Sequence, residues 1–139
     1  MNDREIKTRL CEILGTIDGF EWSATTAAYD PDSVGVWFGA IDDTPDRGVG
    51  VRLYGLGGSE SDDLTQRKAQ VWVRGAREER GSADDIADAV FGRFDKLSRE
   101  GGILSIRRES MSDQGSDDND REQRSENYLI TLDNEEALQ

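Results

Sequence analysis

With 139 residues the chain is the size of one domain, and an apolar share of 35% beside a charged share of 34% allows one core while leaving some segments to solvent. Its 30 acids against 17 Lys and Arg leave a net charge of −13, a field that repels phosphate backbones and anionic membranes and so argues against a direct grip on nucleic acid. The absence of His removes the commonest general base and imidazole metal sites, and the single Cys11 excludes an internal disulfide and most thiolate metal sites.

The first residues are charged and contain no long apolar run, so neither a secretory signal nor a membrane span is expected, and the chain reads as cytoplasmic. In NDREIKTRLCEILGTI, Ile6, Leu10, Ile13, Leu14 and Ile17 recur on one stripe, which predicts an amphipathic helix. Asn2 or Asp3 can cap it, Asp3 and Glu5 suit its positive end, and Gly15 or Gly19 can stop it. Cys11 lies on the apolar side, where it acts as a small buried hydrophobe.

The turn Asp30-Pro31-Asp32-Ser33 precedes an apolar run from Val34 to Ile41 that reads as a strand. The polar link from Asp42 to Gly48 reads as a hairpin-like connection into a second strand, Val49 to Leu56, with Val49, Val51 and Leu53 on one face. Gly57 to Gln66 has no apolar period and is expected to be an exposed loop. Ala69, Val71 and Val73 then alternate with Gln70, Trp72 and Arg74, a half-buried strand with a polar and aromatic outer side.

After a charged turn, Ser82 is placed to cap a second helix, with Asp84 and Asp85 in its first turn. Ala83, Ile86, Ala87, Val90, Phe94 and Leu97 form its apolar stripe, and Gly101-Gly102 ends it. Ile103 to Arg108 and Asn127 to Asp133 are the last predicted strands. Between them Glu109 to Glu126 holds seven acids against two arginines, and its low apolar content predicts a flexible acidic loop. The fold class expected is α+β: a single antiparallel twisted sheet of about four to five strands with two helices packed on one face. One domain spans 1–133, and 134–139 form a short disordered tail.

No catalytic set, metal site or cofactor site emerges, and the chain does not read as an enzyme. The paired acids, among them Asp84-Asp85 and Asp117-Asp118, do not match a calcium loop in any register, and the glycines from Gly55 to Gly58 lack the Lys and helix of a phosphate cradle. The aromatic residues fall on strands, where core packing explains most of them. Trp72 is the exception: set opposite Val71 and Val73 and flanked by Gln70 and Arg74, it suits a subunit interface, with Arg74 placed to pair with a neighbour's acid.

QVWVRGA, a short charged turn and ADDIADAVFGRFDKL resemble the phage tail terminator family, often labelled minor capsid proteins. VGVRLYGLGG before them and DDNDREQRSENYLITL after them are similar to the family's flanking segments, so the likeness runs from about Val34 to Asp133. The resemblance implies a structural virion protein that forms a hexameric ring on the tail tube. Such a ring ends tail elongation and joins the tail to the head connector at the head-tail junction, after assembly in the host cytoplasm. It implies as partners further copies of the chain, the tail tube protein and the connector, with DNA passing through the bore without specific binding. Asp117, Asp118, Asp120 and Glu122 are then a loop facing a partner or the lumen, their charge keeping the bore from holding DNA. The competing reading is an acidic inhibitor or nucleic-acid mimic that occupies a basic site on another protein.

Overall fold

The structure, a computed structural model, describes residues 1–25, 28–57 and 64–133; the expected tail 134–139 and most of the expected 57–66 loop lie outside the described residues. Helix α1 spans Asp3–Leu14. It starts on a capping box in which the Asn2 side chain accepts the Glu5 N–H at 2.8 Å and Glu5 accepts the Asn2 N–H at 3.2 Å. Twelve residues make a marginal helix by themselves. Burial of Ile6, Leu10 and Leu14, at about 1.5–3 kcal/mol each, is what holds it in place. Cys11 packs with them, and burial, then the neighbouring charge of Glu12, pushes its thiol up to about 12, where it is an inert apolar group.

The strands are β1 (Phe20–Glu21), β2 (Val34–Phe38), β3 (Gly48–Leu56), β4 (Leu64–Arg77), β5 (Ile103–Ser116) and β6 (Arg121–Asp133), with α2 (Ser82–Asp95) between β4 and β5. They form one sheet in the order β1-β2-β3-β4-β6-β5. Pairings β1/β2 and β2/β3 are parallel and the rest antiparallel. Class α+β and the two helices on one face are as expected, whereas the sheet has six strands and is mixed rather than four to five and antiparallel. Helix α1 covers β2 and β3, α2 covers β4, β6 and β5, and one apolar cluster joins them.

The link from Asp42 to Gly48 is therefore not a hairpin. To set β3 parallel beside β2, the chain after Phe38 must travel back across the sheet, and it does so over the face opposite the helices. Three glycines make room for this and for the preceding loop. A Cβ on Gly35 would press on Tyr29 at 2.9 Å, one on Gly48 would meet Ile41 at 2.6 Å, and one on Gly50 would run into the carbonyl oxygen of Gly39. Glycines that look like weaknesses in a strand pattern are here sites of close chain approach.

The segment from Glu109 to Glu126, expected as a flexible acidic loop, instead completes a long β5/β6 hairpin that turns at 117–120. Two features replace apolar content. The β6 strand is paired on both sides, with β4 and with β5. On the helix side, ion pairs take over where the apolar stripe ends: fully buried Glu126 meets Arg108 at 3.0 Å and Arg124 at 3.3 Å, and Arg124 reaches Asp84 of α2 at 2.9 Å. The Arg108 guanidinium also lies 4.0 Å from the centre of the Phe91 ring. Ser82 does not cap α2: Gly81 holds that position, and the Ser82 hydroxyl accepts the Ala76 N–H at 2.9 Å, fastening the end of β4 to the helix start.

Candidate assembly surface

Alternation along β3, β4 and β6 sends Val51, Val71 and Tyr128 toward the helices, so their neighbours line the opposite face. Where the crossover ends, that face is open and carries a row of polar side chains across four strands. Arg52 donates to Gln70 at 2.9 Å, Gln70 to Asn127 at 3.3 Å, and Asn127 to Ser110 at 2.9 Å. Trp72 lies one row away, half-buried, and its indole N–H donates to Gln123 at 2.9 Å. A recess of about 300 Å³ lies at the step between crossover and open sheet, walled by Gly39, Ile41, Arg52, Trp72 and Gln123. Gln70 and Trp72 thus stand together on an open surface, in the arrangement expected from the alternation.

Arg74 does not. It is 6% exposed and reaches under the crossover, donating to the carbonyls of Asp46 at 2.7 Å, Asp42 at 2.7 Å and Pro45 at 2.8 Å. Burial and then the charge of Arg121 push its pKa down from the usual guanidinium value, an effect partly offset by nearby acids. Its Nε and Nη2 donors are engaged inside the chain, because a chain crossing the sheet leaves carbonyls that need partners, and this holds Arg74 beneath the crossover and not in the open row expected to meet a neighbour's acid.

Arg121 was not singled out as a site residue, being only a counter-charge in an acidic segment. Buried to 3% exposure, it joins the hairpin tip to the crossover by bonds to Asp117 at 2.8 Å, Asp43 at 3.0 Å and Asp46 at 3.1 Å. The Asp117-to-Arg121 spacing is the one signal of this in the sequence. Of the four predicted loop acids, Asp117 is thereby turned inward and Glu122 accepts from the Ser116 hydroxyl at 2.7 Å, while Asp118 and Asp120 project from the tip.

Burial raises the Asp117 pKa, but hydrogen bonds from the Arg121 backbone and guanidinium and from the Asn119 N–H outweigh it and hold the carboxyl below its ordinary 3.8. Burial likewise raises Asp46, and Arg77 and Arg121 outweigh it. Both groups bind protons more weakly folded than unfolded. Their contribution to stability is thus complete above the ordinary value and lost as pH falls through the lowered folded values. Urea unfolding between neutral pH and about pH 3 is expected to show a smaller decline for Arg121→Met than for the unaltered chain, since the variant lacks a guanidinium that helps to lower both carboxyls, while Arg77 and the backbone N–H groups remain.

Fold and surface together define a class: a small α+β domain with a mixed sheet, helices on one face and an open polar face on the other. A family model described as bacteriophage tail terminator protein matches residues 13–134. A chain in a solved structure, "Virion of native gene transfer agent (GTA) particle", shares the fold with a TM-score of 0.50 at 14% identity, over 89% of this chain and 84% of that one. No curated protein matches by sequence. The chain belongs to the bacteriophage tail terminator family and is a structural protein of the virion.

Proposed function

We propose that copies of this chain close into a six-membered ring on the end of the finished tail tube, end its elongation and join the tail to the head connector. The match of the family model to residues 13–134 carries this reading. The open sheet face is consistent with it, since a half-buried Trp in a hydrogen-bonded polar row offers contact area at low entropic cost. The test is particle assembly without the chain. Tails of abnormal length that fail to attach to heads are expected, and tails of ordinary length joined to heads would overturn the proposal.

Within the ring, Gln70 and Trp72 meet the neighbouring copy, and Arg74 serves the same interface indirectly by fixing the crossover that walls the recess. Trp72→Ala is expected to shift the protein toward monomer by light scattering, with association weakened about tenfold or more. An unchanged mass would remove Trp72 from the interface. Asp118 and Asp120 at the hairpin tip, with Asp117 and Glu122 behind them, face the bore and keep passing DNA from sticking. A ring with these tips on its outer rim would contradict that placement.

A further inference from the structure

A ring requires two different patches per copy that fit each other, because a contact between identical patches closes a dimer instead. Resting on the ring reading, we propose that the open sheet face of one copy seats against the exposed ridge of α2 on the next. The sheet face is the exception to the acidity of the chain. Lys68, Leu129 and Arg107 share one register row across β4, β6 and β5, with Arg52 in the next, and the acid beside them is Glu109, 3.9 Å from Lys68. Set against its own kind, this face would bring like charges together.

The α2 ridge carries the complementary charge. Asp85, Asp88 and Asp95 are exposed at positions that share one side of the helix with Gly92, and none of the three acids meets a cation among the described residues. Nothing among the described residues requires a glycine at position 92. A Cβ there would meet nothing within 4 Å, its backbone is helical, and glycine inside a helix is unfavourable relative to alanine. Lack of a side chain at the middle of the ridge lets a flat partner come close. The two patches lie on opposite sides of the sheet, helix side and open side, so each copy can present one to each neighbour in head-to-tail order.

The experiment is a cross-link in assembled tails with a charge exchange in solution. A chain carrying Lys68→Cys and Asp88→Cys, oxidised in particles, is expected to give a ladder of covalent multimers; buried Cys11 takes no part. In solution, K68E/R107E and D88K/D95K are each expected to lose association at least tenfold relative to the unaltered chain. Mixed, they should recover it, because an alternating ring of even number pairs opposite charges at every contact. Particles that contain the cysteine chain and yield no ladder would overturn the pairing and leave the ring reading standing, as would charge variants that assemble like the parent. Particles of ordinary length and attachment without the chain would overturn both.

Discussion

Arg74→Met is expected to destabilise the fold by about 3–5 kcal/mol, because it removes one member of a buried, charge-assisted set and leaves the others without donors. Three carbonyls of the crossover, those of Asp42, Pro45 and Asp46, depend on one guanidinium. Methionine fills a similar length and supplies no N–H. Arg74→Lys should recover little, since a single ammonium cannot reproduce a planar fork that spans carbonyls on separate residues. Arg52→Met on the open face, where the side chain is exposed, should stay within about 0.5 kcal/mol of the parent. For a domain of this size the Arg74 effect corresponds to a fall in Tm of about 10 °C or more, readable by circular dichroism. A fall of only a degree or two would mean that water satisfies those carbonyls and that the crossover does not need Arg74.

The second large effect is expected at Gly50. A methyl group there meets backbone, the Gly39 carbonyl, which cannot rotate aside as a side chain would. Either β2 and β3 separate or the crossover lifts off, at a cost of about 3 kcal/mol by analogy with overpacked cores. Gly55→Ala in the same strand is the control. Its added Cβ would find Lys68 side-chain atoms at 3.9 Å, an ordinary contact, and alanine restricts the unfolded chain, so that variant should be neutral or stabilised by about 0.5 kcal/mol. Denaturant unfolding of the pair separates a steric requirement at Gly50 from the general weakness of glycine in strands. Loss of the recess beside Trp72 would accompany the Gly50 change, because the crossover forms one of its walls.

Both helices were legible from apolar spacing alone. The stripes of α1 and α2 bury the residues that the pattern selects, from Ile6 and Leu10 to Val90 and Phe94, because a helix that buries one face writes its period into the sequence. The alternation from Ala69 to Arg74 likewise placed Gln70 and Trp72 together on the outer side. It put Arg74 on the same side without showing its burial, since alternation gives a side and not a depth, and the cover over Arg74 comes from residues about thirty positions earlier.

What sequence alone determined is the set of local choices: two amphipathic helices and the cap of the first, the inward residues of the central strands, the family resemblance, and an excess of acid that calls for solvent or cationic partners. Tertiary structure alone decided the direction in which β2 and β3 pair, the purpose of Gly35, Gly48 and Gly50, and the conversion of Glu109–Glu126 from apparent loop to hairpin. The reason is common to all three. A ladder partner, a crossing chain and a buried ion pair are contributed by distant residues, and no period within one segment records them.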